Sequence, residues 1–204
     1  MKLYYAPGTC ALACWIALKW AGAEFEAVKA DYASAEFKRV NPLAMVPALD
    51  IGGARAMTQV DAIMHYIIER YPDARLGADD DINGRFEFNE TMAFLTGDFH
   101  PAFWPFFSPQ RYTVSKEQAA LDDVRTASHA RITRVMDHLE GMIGNGEHVY
   151  RNRRTLADPY AFIMARWTAR LPKTWRDYPN ISRLFANMEK DEAVQEVLRL
   201  SAAR

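Results

Sequence analysis

The order of the first three elements, a strand, a helix and a second strand, constrains the fold more than any other feature of this chain. Residues 2–5 have the pattern of a strand, and Pro7-Gly8-Thr9 forms a turn before an apolar helix over residues 10–21. Residues 24–28 then read as a second strand. Two strands joined by one short helix must run parallel, because a tight hairpin is what joins antiparallel neighbours. The sequence therefore predicts a β-α-β unit at the start of the chain.

A hairpin and an amphipathic helix are predicted next. After a weakly structured stretch over residues 33–42, two short strands over 45–49 and 55–57 flank Gly52-Gly53, a pair typical of an antiparallel hairpin. From Gln59 onward, apolar residues then recur with helical spacing until Pro72. They are Val60, Ile63, Met64, Ile67, Ile68 and Tyr71.

The rest of the chain has helical patterns and no convincing strand. A polar segment that starts at Pro72 (PDARLGADDD) interrupts the apolar pattern. One long helix is predicted over 88–106 and another over 121–142, and Thr155 and Asp158 can cap a third by accepting bonds from free N–H groups. We therefore expect a first domain over residues 1–75, a linker over 76–82 and an all-helical domain over 83–204.

Two shorter predictions concern details of the helical half. Pro101 lacks a backbone N–H group and should kink the first long helix. The run Arg151-Asn152-Arg153-Arg154 precedes the capped helix and is interpreted as a solvated loop.

Composition excludes several classes of function. A net charge of −1 over 204 residues gives no field that would collect nucleic acid. No apolar run approaches the roughly 20 residues needed to cross a bilayer, and the first residues do not resemble a targeting peptide. With Cys10 and Cys14 as the only cysteines, the chain fits the reducing cytoplasm. It has no HExxH motif, no phosphate-binding glycine loop and no histidine pair of ligand spacing, so we expect no metal and no nucleotide.

Cys10 is the first candidate for chemistry. It lies where a strand leads into a helix, so its sulfur faces unpaired N–H groups and the positive end of the helix dipole, which favours the thiolate. The alternative is an inert, buried cysteine, and this is the interpretation for Cys14 one turn later.

Two further signals are weak when taken alone. Val46-Pro47 stands at the start of a strand, where proline cannot donate a ladder hydrogen bond. Gln59-Val60 begins a helix whose free N–H groups can bind a carboxylate, although an ordinary helix start would look the same.

Taken together, these features resemble the bacterial beta-class glutathione transferases over almost the whole chain. The resemblance rests on KLYYAPGTCAL, NPLAMVPALD, TQVDAIMHYI and TLADPYAF. It implies an α/β thioredoxin-like N-terminal domain that binds glutathione as co-substrate, followed by an all-α C-terminal domain. It also implies a homodimer in which the first domain of one subunit packs against the helical domain of the other.

The resemblance assigns roles to individual residues. The peptide between Val46 and Pro47 is expected to be cis, so that the Val46 backbone pairs with the cysteinyl unit of glutathione. The helix start at Gln59-Val60 would bind the γ-glutamyl carboxylate, and Tyr5 and Cys10 would also contact the tripeptide. In the family a histidine of the first helix in the helical domain faces the thiol, and in this chain that histidine is His100; taken alone, it would be read as a solvated histidine.

Aromatic residues close to His100 are the candidate site for a second substrate. Phe103, Trp104 and Phe107 lie in one short stretch, and Trp167 on a later helix is expected to face the same cleft. One helix cannot bury so many rings on one side, although any single ring could belong to the core. We assign these four residues to the binding of a small apolar electrophile.

Three functions remain open from the sequence. The first is conjugation of the glutathione thiolate to an apolar electrophile. The second is a glutathione-dependent thiol reductase or peroxidase, because Cys10 is suited to forming a mixed disulfide. The third is a non-catalytic binding protein, since Ala11, Gln59, Val60 and Pro101 replace the serine, acidic residue, serine or glycine, and lysine that family members often have there.

Overall fold

The computed structural model describes residues 1–202, and its first part is a four-stranded sheet with helices on both faces. The strands are β1 (Lys2–Tyr5), β2 (Glu26–Lys29), β3 (Ala48–Asp50) and β4 (Met57–Thr58), in the spatial order β2-β1-β3-β4. β1 and β2 are parallel, whereas β1–β3 and β3–β4 are antiparallel. The β-α-β unit and the hairpin predicted from the sequence are therefore confirmed.

Alternate residues of β1 belong to two separate cores. Leu3 faces α1 (Ala11–Trp20) and α3 (Val60–Arg70), whereas Tyr4 packs with Phe37 on the opposite face. This alternation follows from the two-residue period of a strand. α1 has apolar residues on all its faces. This composition suits a helix that is covered by the sheet on one side and by the helical half on the other.

The stretch predicted to be weakly structured contains a short helix, α2 (Ala35–Val40). The hydroxyl of Ser34 accepts a hydrogen bond from the N–H of Phe37 at 3.0 Å and so caps the helix. Phe37 anchors the helix to the sheet, where its ring lies 5.6 Å from that of Tyr4. The sequence prediction was wrong here because six residues with one apolar anchor give no detectable period.

The second part is helical. Its longer helices are α4 (Ile82–Phe94), α7 (Gln118–Ile143), α8 (Ala157–Ala165), α9 (Pro179–Met188) and α10 (Glu192–Ala202). α8 is buried throughout and contacts α1, so it joins the cores of the two parts. None of the helices within residues 1–202 has the length and apolar character that crossing a membrane requires.

The long helix predicted over residues 88–106 is interrupted. After α4 the chain forms a π-helical turn at Leu95–Phe99, in which the N–H of His100 bonds to the carbonyl of Leu95, five residues back. Two short helices follow, α5 (His100–Ala102) and α6 (Trp104–Phe107). Pro101 explains the interruption, because it has no N–H to continue the ladder, and a π turn absorbs the mismatch.

Of the two side chains predicted to cap the start of α8, only Asp158 accepts hydrogen bonds from backbone N–H groups. The carboxylate of Asp158 accepts hydrogen bonds from the N–H groups of Thr155 at 2.9 Å and Val149 at 2.8 Å, and from Nδ1 of His148 at 3.0 Å. The Thr155 hydroxyl, in contrast, is buried and has no partner among residues 1–202. Asp158 alone therefore organises this turn.

The arginine run before α8 is an exposed loop, as predicted, but its arginines also form ion pairs and hydrogen bonds. Arg151 forms a paired contact with Glu87 at 2.6 and 2.8 Å and also bonds to Asp79 at 3.1 Å. Arg153 donates to the carbonyls of Arg75 and Gly77. These arginines connect the segment after α3 to the helical part, which the sequence did not reveal because the partners lie more than 60 positions away.

Candidate active site

A cavity of about 790 Å³ lies between the two parts of the molecule. The first part contributes the loop at Gly8–Cys10, the loop around Val46-Pro47 and the start of α3. The second part contributes side chains from the α4–α6 segment, from α8 and from the turn that follows α8. Its candidate residues are Cys10, Val46, Pro47, Gln59, Val60, His100, Trp104, Phe107 and Trp167, all of which line it.

Cys10 lies at the start of α1, as expected, but its environment opposes ionisation. Only 7% of the residue is exposed. Burial raises the pKa of the Cys10 thiol to about 12, and the N–H groups of Cys10 and Ala11 offset this only in part. The helix start favours the thiolate, as expected, but desolvation of the charge exceeds this stabilisation and agrees with the alternative of a buried, protonated cysteine. Cys10 is therefore a thiol at neutral pH and can donate a hydrogen bond.

The wall on the side of the sheet includes backbone groups near Val46-Pro47 and at the start of α3. The Val46-Pro47 peptide is cis, as the resemblance implies, and the Cys10 sulfur lies 3.7 Å from the Val46 carbonyl oxygen. Gln59 has a φ of 73°, a region that residues with a side chain rarely adopt and that is often kept at functional sites. It turns the chain into α3, so that Val60 and Asp61 in its first turn line the cavity with N–H groups free to bind an anion.

His100 and Tyr160 form a pair in the opposite wall. The Nδ1 atom of His100 lies 3.1 Å from the Tyr160 hydroxyl, and Tyr160 is 1% exposed. Burial lowers the pKa of His100 to about 4, so its imidazole is neutral at physiological pH. Burial also raises the pKa of the Tyr160 phenol, so the hydroxyl keeps its proton.

The low pKa of His100 predicts a loss of stability in acid. Below the unfolded pKa of about 6.5, the unfolded chain binds a proton that the folded imidazole does not. The stabilisation that comes from keeping His100 neutral in the folded protein is thus complete above about pH 6.5. It falls by up to about 3 kcal/mol as the pH approaches 4. We expect His100→Gln to lose less free energy of unfolding than the native protein between about pH 7 and about pH 4.5, measured by urea denaturation.

His148 provides a comparison of opposite sign. The hydrogen bond to Asp158 raises the pKa of His148, so its contribution is present in acid and is lost as the pH rises. His148→Gln should therefore lack the decrease in stability that the native protein shows as the pH rises above about 6.5. Equal pH slopes for the native protein and both variants would contradict the two assignments.

Aromatic rings form most of the second wall. Trp167 lies centrally, with its ring 5.2 Å from those of both His100 and Phe107, and its Nε1 donates to the carbonyl of Gly8 at 2.8 Å. Gly8 has a φ of +72°, which a glycine adopts without strain, and this turn presents the carbonyl to the indole. Trp104 is half exposed at the rim.

Two predicted site residues do not belong to the cavity. Phe103 is fully buried and supports the wall from behind, with its ring 5.3 Å from Trp167. Tyr5 packs against Trp15 with ring centroids 4.6 Å apart and borders a different depression beside Lys19. Both corrections have one cause, since a side chain's position in the sequence does not show which face of its element it occupies.

The cavity also contains residues that the sequence reasoning missed. Tyr160 lies within the TLADPYAF motif but reads as an ordinary core residue of an apolar helix. Thr96 belongs to the unpredicted π turn, and Asp61 is the one carboxylic side chain among the described lining residues. No group of three potential metal ligands occurs within residues 1–202.

The molecule consists of a thioredoxin-like α/β part and an all-helical part, with a cavity between them. Comparison with known proteins shows which family has this architecture. Residues 8–70 match the family described as "Glutathione S-transferase, N-terminal domain". Over 204 residues the chain is 34% identical to glutathione S-transferase GST-4.5 of Xanthomonas campestris pv. campestris, and the match covers 98% of each chain. The chain belongs to the glutathione S-transferase family.

Solved structures agree over the full length of the fold. A bacterial beta-class glutathione S-transferase from Sphingomonas chungbukensis shares 31% identity with a TM-score of 0.86, and the match covers 99% of both chains. A sphingomonad glutathione S-transferase, solved in complex with glutathione, shares 29% identity with a TM-score of 0.87 over 100% of both chains.

Proposed function

We propose that this protein is a transferase that conjugates the thiolate of glutathione to small apolar electrophiles. The observation that carries the proposal is the division of one cavity into two chemically different walls. One wall offers peptide groups and a helix start, which suit a peptide with carboxylates, and the other offers aromatic rings. Relatives of this chain are named glutathione S-transferases, and one of them was solved with glutathione bound.

The wall on the side of the sheet offers groups that can bind two of the three residues of glutathione, the cysteinyl and the γ-glutamyl residues. The Val46 backbone is positioned to pair with the cysteinyl unit, and the free N–H groups at Gln59-Val60 are positioned to bind the γ-glutamyl carboxylate. The carboxylate of Asp61 lies beside them and can pair with the γ-glutamyl amino group. Tyr5 is not part of this proposal, because it lies outside the cavity.

Cys10 acts in this proposal as a hydrogen-bond donor to the glutathione sulfur. A thiol that stays protonated cannot attack a disulfide, but it can stabilise a neighbouring thiolate. This property favours conjugation over the reductase or peroxidase alternative. The electrophile would contact Trp104, Phe107 and Trp167, which expels water from the reacting sulfur.

The test compares three single variants. Cys10→Ala removes the donor and should lower kcat/KM for an aryl halide and glutathione about tenfold, whereas Cys10→Ser keeps a donor and should retain most of the activity. Cys14→Ala, one turn away and outside the cavity, is the matched control and should conjugate normally. Reduction of glutathionyl mixed disulfides without any conjugation would refute the proposal, as would no binding of glutathione in calorimetry.

We also propose that the protein is a homodimer that works in the cytoplasm in the detoxification of electrophiles. Ile82 and Phe86, one turn apart on α4, are 75% and 64% exposed, and such an apolar pair on one helix face is suited to a subunit contact. The two free thiols fit a reducing compartment. Sedimentation equilibrium should give twice the chain mass for the native protein and the single-chain mass for Phe86→Glu, and a native monomer would contradict the dimer.

A further inference from the structure

The hydrogen bond between Tyr160 and His100 determines where the imidazole proton lies. A neutral imidazole has one N–H, on either Nδ1 or Nε2. The Nδ1 atom lies 3.1 Å from the Tyr160 hydroxyl oxygen. At this distance either Nδ1 or the hydroxyl could be the donor. The other partners available to each group determine which of them donates.

The Tyr160 hydroxyl has one acceptor within reach in the part of the chain that is described, and this is Nδ1 of His100. If Nδ1 carried the proton, it would donate to the phenol oxygen, and the O–H of Tyr160, a residue that is only 1% exposed, would have no acceptor within the described chain. An unpaired buried hydroxyl costs about 1–3 kcal/mol. Donation from Tyr160 to Nδ1 avoids this cost and leaves the proton of His100 on Nε2.

The Nε2 atom opens towards the cavity. It makes no hydrogen bond to any residue within 1–202, and it is not among the enclosed atoms that lack a partner. The ring of His100 is packed between the rings of Trp104 at 5.9 Å and Trp167 at 5.2 Å, which limits its rotation. An accessible Nε2–H of a residue that lines the cavity is available to a ligand.

We infer that Tyr160 is a positioning residue, which holds His100 in the Nε2–H tautomer and so presents a neutral hydrogen-bond donor to the anionic sulfur in the cavity. This inference rests on the proposed function, because that function supplies the anion. No proton is transferred: Tyr160 donates to Nδ1, and Nε2–H donates to the thiolate. A neutral donor also avoids the cost of burying an imidazolium in this wall.

The first experiment reads the tautomer directly. Two-bond ¹⁵N–¹H correlation spectra of histidine-labelled protein at about pH 7, with His100→Gln to assign the signal, should show His100 protonated at Nε2. Tyr160→Phe keeps the ring and removes the hydroxyl, and its His100 signal should shift towards a mixture of tautomers. A native His100 protonated at Nδ1 would overturn the inference without any variant, whether or not the chain conjugates glutathione, so the two proposals can fail separately.

The second experiment tests whether Tyr160 acts through His100. Tyr160→Phe should lower kcat about fivefold to tenfold with little change in the KM for glutathione, as expected for one hydrogen bond. The same change in a His100→Ala background should have no further effect. Tyr178→Phe, a buried tyrosine outside the cavity, is the matched control and should keep native kcat. A loss of kcat that is equal in both backgrounds would overturn the role through His100.

Discussion

Asp158→Ala is expected to lower the free energy of unfolding by about 3–5 kcal/mol, the largest effect on stability of the changes considered. The carboxylate is fully buried and accepts bonds from the N–H groups of Thr155 and Val149 and from His148. Alanine would leave two buried N–H groups without an acceptor within the described chain, and each unpaired group is costly. Urea denaturation at about pH 7 measures the loss.

A surface aspartate provides the control for this prediction. Asp137 on α7 is more than half exposed and contacts Lys173 at 2.9 Å. Asp137→Ala should cost less than about 1 kcal/mol, as exposed ion pairs generally do. Similar losses for the two variants would show that the buried hydrogen bonds of Asp158 contribute little.

Trp167→Ala is expected to have the largest effect on substrate binding. The indole contacts His100 and Phe107 and bonds to the carbonyl of Gly8, so it contributes to the aromatic wall and also joins it to the loop before Cys10. The variant should raise the KM for an aryl electrophile at least about tenfold and lower the free energy of unfolding by about 2–3 kcal/mol. Steady-state kinetics and urea denaturation measure the two effects.

Two conservative variants separate the contributions. Trp167→Phe keeps a ring but loses the bond to Gly8, so it should cost about 1 kcal/mol of stability and raise the KM less than alanine does. Trp175→Phe alters a tryptophan that stacks on Phe185 outside the cavity, and it should leave the KM unchanged. An unchanged KM in Trp167→Ala would place the electrophile elsewhere.

The parts of the fold that the sequence predicted are those with a repeated local signal. The apolar positions of α3 recur over three turns, and Gly52-Gly53 marks the hairpin between β3 and β4, so each element carries its own evidence. α2 lacks such a signal, and the π turn before His100 arises from a competition between Pro101 and the helix ladder. Such local conflicts depend on which contacts the rest of the chain supplies.

Many of the residues that line the candidate site could be predicted from the sequence. The directions of their pKa shifts could not. Sequence position placed Cys10 at a helix start, yet the degree of burial, which reverses the direction of its pKa shift, depends on residues far along the chain. Tyr160 was missed for a related reason. Its hydroxyl has a role only because folding brings α8 against His100, 60 residues earlier in the sequence.

The hydrogen bonds that connect the segment before α4 and the first turn of α4 to residues 150–156 affect how the whole protein should respond to proteases. The Tyr150 hydroxyl donates to the carbonyl of Gly84 and accepts from the N–H of Asp79, and the N–H of Leu156 bonds to the carbonyl of Leu76. A connecting segment with its peptide groups bound in this way cannot extend into a protease cleft. The two halves of the cavity should therefore stay together in limited proteolysis and be lost in one cooperative step.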